Sequence, residues 1–241
     1  MNVEVCIDNF ESLNSAQRGG ANRIELCGAL ALGGITPNYG LIKAACQHAS
    51  IPVYVMIRPR SGDFFYSEDE VAIMLSDIYA ARRAGAQGVV LGVLDKQANI
   101  DRQVLKSLVA EAGQMGVTFH RAIDLVANVE DALETIIAAG CERVLTSGQE
   151  QTALAGVNTL KQMVVQANNR ISIMAGAGVS GTNVKQIVDI SGVHEVHLSG
   201  KSQRQSYMTV SGQQPSMGSA DDMNLNVTSE TQIRAVVKAL T

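Results

Sequence analysis

A chain of 241 residues, 46% hydrophobic and 17% charged, has the composition of a globular protein with a core of its own. A net charge of −4, no basic run, 4% aromatic residues and no tryptophan exclude a nucleic-acid partner, which needs a basic stripe and stacking platforms. The opening Met1-Asn2-Val3-Glu4 lacks the basic segment of a signal peptide and no apolar run nears the roughly 20 residues of a membrane span, so the expectation is a cytoplasmic protein with no membrane partner and with Cys6, Cys27, Cys46 and Cys141 reduced.

Short β-branched runs alternate with longer amphipathic stretches along the chain. The first predicted strand, Val3–Asp8, is followed by a helix over Phe10–Arg18. Strands over Arg23–Cys27 and Val53–Arg58 precede helices over Tyr39–Gln47 and Ser67–Arg83. Gly88–Val93, Val117–His120 and Arg143–Ser147 lead to helices over Asp101–Gly113, Val129–Ala139 and Gln151–Gln166. Ile171–Ala175 and Glu195–Ser199 close the series, with helices over Thr182–Ile190 and Glu230–Leu240. Ser67 before Glu68-Asp69-Glu70 reads as an N-cap with acids in the first turn, and Gly85, Gly116 and Gly140 suit left-handed caps.

Eight strand–helix units in strict alternation require parallel strands with crossover helices. The expected architecture is one (β/α)8 TIM barrel spanning residues 1–241 as a single domain. An open doubly wound sheet would place a GxGxxG turn after its first strand, and Asp8-Asn9-Phe10-Glu11 contains no glycine. From Ser199 to Ser229 the periodicity stops. This stretch, holding Met208, Met217 and Met223, is expected to be a long loop after strand 8, over the barrel mouth.

Active sites of such barrels form where the strands end. Period two puts Glu4, Cys6 and Asp8 on one face of the first strand, and Glu25 and Cys27 on one face of the second. Glu4 and Glu25 are expected to point inward as structural charges paired with cations such as Arg58. If the registers match, Cys6 and Cys27 can share one soft metal ion, Cu(I) or zinc; otherwise they fill the interior as small apolar residues.

After the third strand, Arg58, Arg60 and Asp63 lie in a Pro/Gly loop suited to anion recognition by guanidinium forks. The fifth strand ends in His120-Arg121-Ala122-Ile123-Asp124. His120 is a candidate catalytic acid/base or metal ligand, with Asp124 as its orienting or ion-pair partner, or else a hydrogen-bonded core residue. The sixth strand ends in Thr146-Ser147-Gly148, and the Gly-rich turns after strands seven and eight, Gly176-Ala177-Gly178 and Ser199-Gly200, have the form of phosphate-binding turns, or simply of tight connections. Arg58, Arg60, Asp63, Arg121, Ser147, Gly148, Gly176, Gly178 and Ser199 thus make up a candidate site for a small phosphorylated or carboxylated metabolite. No strand core holds a lysine for Schiff-base chemistry, and HExxH, GxSxG and Walker motifs are absent.

Several segments resemble the CutC family of copper-homeostasis proteins. They are Ala21-Asn22-Arg23-Ile24-Glu25-Leu26-Cys27, Gly33-Gly34-Ile35-Thr36-Pro37, Ile57-Arg58-Pro59-Arg60-Ser61-Gly62-Asp63-Phe64, Val117-Thr118-Phe119-His120-Arg121-Ala122, Arg143-Val144-Leu145-Thr146-Ser147-Gly148 and Ile173-Met174-Ala175-Gly176-Ala177-Gly178. The stretch beyond Ser199 is least similar. The resemblance implies a cytoplasmic barrel, a homo-oligomer (dimer or tetramer) and a Cu(I) site at the matching positions Cys6 and Cys27; as a soft-metal site these would have Met56 or His120 as neighbouring donors. Two functions follow as alternatives: a Cu(I)-binding protein of copper homeostasis, or an enzyme or sensor acting on a small anionic metabolite.

Overall fold

The computed structural model describes residues 1–209 and 222–241. Strands β1 (Asn2–Ile7), β2 (Arg23–Leu26), β3 (Val53–Met56), β4 (Gly88–Leu91), β5 (Gly116–Phe119), β6 (Arg143–Thr146), β7 (Ser172–Ala175) and β8 (Glu195–Leu198) pair in parallel with their sequence neighbours. β8 pairs with β1 and closes the barrel. Helices α1 (Phe10–Gly19), α2 (Tyr39–His48), α3 (Glu68–Ala84), α4 (Arg102–Ala112), α5 (Val129–Ala139), α6 (Val157–Ala167), α7 (Val184–Ser191) and α8 (Glu230–Ala239) alternate with the strands. This is the TIM barrel that the alternation predicts.

Strand periodicity divides the side chains into two sets. Val3, Val5, Ile7, Ile24, Leu26, Val53 and Val55 join one apolar cluster with helix residues such as Leu13, Ile42, Met74 and Ile78. The main hydrophobic core therefore lies between the strands and the helices. The alternate residues face the interior, and many are polar or charged: Glu4, Arg23, Glu25, Arg143 and Glu195 are all buried.

Local signals behave as their chemistry demands. Ser67 and Glu70 form a reciprocal capping box on α3, and Gly85 (φ 93°) and Gly140 (φ 91°) close α3 and α5 in the left-handed region. Gly116 is not a cap: α4 ends at Gly113, and Gly116 opens β5. Its glycine serves Tyr54 instead, since a Cβ there would stand 2.2 Å from the Tyr54 hydroxyl. α6 begins at Val157, six residues later than predicted, because the chain first folds so that Gly156 abuts Gly148, where a Cβ on Gly148 would lie 2.3 Å from the Gly156 carbonyl oxygen.

Part of the predicted loop after β8 is ordered as an antiparallel hairpin of β9 (Lys201–Gln205) and β10 (Asn224–Thr228). Lys-Ser-Gln-Arg-Gln offers no apolar alternation, so periodicity could not reveal it. Polar contacts hold it: Thr228 N donates to Ser12 Oγ at 2.9 Å, Asn9 Nδ2 to the Asn226 carbonyl at 3.2 Å, and Arg204 pairs with Glu11. Met217 lies outside the described residues. No helix of the described residues is long and apolar enough to cross a membrane.

Candidate metal centre

Four residues that open strands, Arg23, Arg143, Ser172 and Glu195, meet Glu4 at the floor of the barrel. Arg23 donates to both Glu4 and Glu195, and Arg143 Nε donates to Glu195 at 2.8 Å. Ser172 Oγ adds a 2.7 Å bond to the other oxygen of Glu195. Both guanidinium groups lie over the Tyr54 ring, at 5.1 and 5.5 Å from its centroid, and the Tyr54 hydroxyl donates to Glu142 at 2.6 Å. The expected pairing of Glu4 with Arg58 does not form. Arg58 sits at the opposite end of the barrel, and Arg23 answers Glu4 because it stands directly across from it in the β1–β2 register.

Above the floor, register decides which side chains meet. Cys6 lies opposite Glu25, not Cys27, and Glu4 lies opposite His197. Cys6 Sγ, a Glu25 oxygen and a His197 ring nitrogen all fall within 4.8 Å of one another. Cys27 Sγ donates to Glu25 Oε2 at 3.5 Å, so the Glu25 carboxylate lies between the two thiols. His197 Nδ1 contacts Glu4 Oε1 at 2.9 Å, and its Nε2 faces Glu25 Oε2 at 3.7 Å. Met56 packs against Cys27 in a small group with Tyr54 and Val90.

Burial works against every charge in this cluster. It pushes both thiols above their ordinary range, Cys27 more strongly, because at Cys6 the His197 charge and hydrogen bond offset part of the effect. It pushes Glu25 up to about 7. Burial also opposes Glu4, but the His197 hydrogen bond and the Arg23 charge overcome it and bring Glu4 down to about 2. For His197, burial is outweighed by its acidic surroundings, Cys6, Glu25 and Glu4, which raise it well above the ordinary imidazole value. The acidic surroundings thus favour the protonated imidazole, while burial favours the neutral thiols and the neutral form of Glu25.

These donors suit a soft metal ion: thiol sulfur, imidazole nitrogen and one carboxylate. Glu4 on Nδ1 is the arrangement that orients a ligating histidine through its second nitrogen and leaves Nε2 for the ion. The sequence alone does not single out His197 or Glu25 as a candidate ligand. Period two on β8 does turn His197 inward with Glu195, but only the closure of β8 onto β1 shows that it meets Cys6.

The arginines of the mouth are engaged by their own loops. Arg58 donates to the carbonyls of Leu32, Gly34 and Gly62 and stacks on Phe64, 4.9 Å to the ring centroid. Arg60 is held by Glu70, Asp63 and the Phe65 carbonyl. Arg121 binds Asp124 and Ser147 Oγ. Asp124 does not orient His120; its carboxylate accepts from Arg121, Thr146 Oγ1, Ser147 N and Oγ, and Gln149 N. The turn after β6, which carries the anion-site candidates Ser147 and Gly148, is filled by the protein's own carboxylate. Gly148 N donates to Thr146 Oγ1 and Gly176 N to the Thr146 carbonyl, while the Gly178 carbonyl accepts from Asn183.

His120 is buried beside Phe64, ring centroids 4.9 Å apart, and is not part of the thiol cluster. Burial and then the Arg58 charge lower its pKa to about 3. Ala122 N donates to its Nδ1 at 3.2 Å, which puts the ring proton on Nε2. That Nε2, Arg58 Nε, the Tyr66 hydroxyl and Glu25 Oε1 are the buried side-chain polar atoms without a partner among the described residues.

A cavity of about 210 Å³ opens beside β1 under the β9–β10 hairpin. Cys6 lines it, with Asp8, Asn9, Ser199, Lys201 and Asn226; Glu25, Cys27 and His197 do not.

A model of the CutC family matches residues 1–202. The chain is 56% identical over 240 residues, 99% of its length and 98% of the other, to a family protein CutC of Photobacterium profundum. It is 51% identical to the one from Pasteurella multocida, covering 98% and 97% of the two chains. A crystal structure provisionally named as the copper homeostasis protein CutC from Streptococcus agalactiae superposes with a TM-score of 0.79 at 33% identity, over 83% of this chain and 98% of that one.

Proposed function

This chain belongs to the CutC family, and from that premise we propose that it serves copper homeostasis by binding Cu(I) at Cys6, with Cys27, His197 and Glu25 completing the site. One observation carries the reading: Cys6, Glu25 and His197 present ligand atoms within 4.8 Å of one another, and Cys27 adjoins Glu25. Two thiols and an imidazole favour a soft ion over the hard cations that oxygen donors select. When the ion binds, His197 releases its Nε2 proton and the ligating thiol its own, so metal and protons compete. Glu4 keeps the imidazole oriented, and the matched floor below keeps Glu4 in place. A cytoplasmic setting fits this role, since the thiols must stay reduced.

The test is anaerobic competition with bicinchoninate, a chromogenic Cu(I) chelator. Wild type should take up one equivalent of Cu(I). The Cys6→Ser, Cys27→Ser double variant should lose most of the affinity, and Glu4→Gln should lose about 10- to 100-fold, the usual range for a ligand's hydrogen-bonded support. A double variant that binds as tightly as wild type would refute the assignment.

A second reading has its own observation. Arg58 Nε and His120 Nε2, both buried donors without a partner, are suited to an oxyanion or carbonyl oxygen of a small metabolite. A thermal-shift screen against phosphorylated and carboxylated metabolites tests it: stabilisation that His120→Gln abolishes supports the reading, and no stabilisation by any compound removes it.

A further inference from the structure

We infer that Cu(I) enters as the complex of a small, carboxylate-bearing thiol that docks in the cavity beside β1, with its carboxylate on Lys201 and its copper presented to Cys6. The inference rests on the Cu(I) reading above and names the form in which the ion arrives.

The four donors differ in their access. Glu25 is 3% exposed and Cys27 1%, and neither lines the cavity, whereas Cys6 does. Of the four, Cys6 is therefore the ligand that an ion entering through this cavity meets first. In a thiol-rich solution Cu(I) travels as thiolate complexes rather than as a free ion, so the cavity must admit a carrier as well as the metal. Its volume of about 210 Å³ is below the roughly 300 Å³ at which sites for drug-sized ligands begin, which limits the occupant to a small molecule.

The lining then specifies the carrier's charge. Its two charged side chains are Asp8 and Lys201. Asp8 is engaged, accepting from Leu30 N and Asn9 Nδ2, both at 3.0 Å. Lys201 has no ion-pair partner among the described residues and is the one cation of the lining, so a carboxylate is its complement. Asn9, Asn226 and Ser199 supply further polar groups around it. Part of this wall, Asn226 to Thr228 on β10, lies beyond residue 202, outside the match to the family model, while Lys201, the proposed partner of the carboxylate, lies within it.

The transfer is a ligand exchange without redox change. The bond from copper to the carrier sulfur breaks as the bond to Cys6 Sγ forms, and the Cys6 thiol proton passes to the departing thiolate. Glu25, Cys27 and His197 then take up the ion from within.

Three achiral carriers of similar size separate the possibilities: Cu(I) complexes of 3-mercaptopropionate, 2-mercaptoethanol and cysteamine, which are anionic, neutral and cationic. Stopped-flow circular dichroism of the copper–thiolate bands reports only protein-bound Cu(I), because the carriers are achiral. Wild type should load fastest from 3-mercaptopropionate and slowest from cysteamine. Lys201→Glu should invert that order, with about three-fold changes in rate, the scale of an exposed ion pair. Ala31→Trp, at an exposed position of the lining, should slow loading from all three. Bicinchoninate affinity should match wild type in both variants. An unchanged rate order in Lys201→Glu, or wild-type rates in Ala31→Trp, at intact affinity would overturn the entry route while leaving the Cu(I) site standing. Failure of wild type to hold Cu(I) against bicinchoninate would bring down the site itself.

Discussion

The floor of this barrel and its upper half are both lined with polar side chains, yet they are built on opposite terms. At the floor, Glu4, Arg23, Arg143, Glu195, Tyr54 and Glu142 form a closed set in which each charge has a hydrogen-bonded partner. From Glu25 upward, four buried atoms, Glu25 Oε1, Arg58 Nε, Tyr66 Oη and His120 Nε2, have none. A buried polar atom without a partner costs about 1–3 kcal/mol. The floor thus stabilises the barrel, and the half above it keeps unsatisfied capacity where a ligand can use it. Polarity inside a barrel does not by itself mark a site; unmet polarity does.

The largest test of this contrast is Arg23→Ala. It takes from Glu4 its arginine partner and leaves Glu195 to Arg143 and Ser172, and should cost about 3–5 kcal/mol in urea unfolding at neutral pH, as removal of one partner from a buried ion pair does. A cost below about 1 kcal/mol would mean that the floor is not a matched set.

A smaller effect probes the upper half through pH. His120 has a folded pKa near 3, against 6.5 in the unfolded chain, so the unfolded state gains a proton first as pH falls. Stability is complete above about pH 6.5 and declines below it, by about 2–3 kcal/mol at pH 4.5 from this residue. His120→Gln should remove that share of the pH dependence, read as a smaller difference between unfolding free energies at pH 7 and pH 4.5. Equal pH dependence in the variant and wild type would show that His120 is solvated.

The smallest effect should come from the mouth loop. Arg60 is 39% exposed and its partners Asp63 and Glu70 reach solvent, so Arg60→Ala should change stability by about 1 kcal/mol or less, measured as the urea midpoint. A loss as large as that of Arg23→Ala would erase the distinction between the two regions.

Much of this molecule is legible in its sequence. The alternation of strand and helix runs identifies the barrel, and period two identifies Glu4, Cys6, Glu25 and Cys27 as inward-facing, because in a strand the side of the sheet depends only on parity. Ser67, Gly85 and Gly140 announce helix ends through local hydrogen bonding and backbone freedom alone. What parity cannot supply is height along the barrel axis. Whether Cys6 meets Cys27 or Glu25 depends on the β1–β2 register, and whether His197 joins them depends on closure of β8 onto β1 across 193 residues of chain separation from Glu4.

The same limit explains the mouth. Arg58, Arg60 and Arg121 have the chemistry of an anion site and Asp124 that of a partner for His120, and only the folded loops show their forks and oxygens already engaged with one another and with nearby carbonyls and amides. The β9–β10 hairpin that walls the cavity carries no apolar alternation, so its strands exist through pairing with each other and with α1. Residue type and parity, local properties of the chain, determined the barrel and the inward set of acids and thiols. Register, closure and competition among polar partners are long-range properties, and they alone decided which of those side chains came together as a candidate metal centre and which became structure.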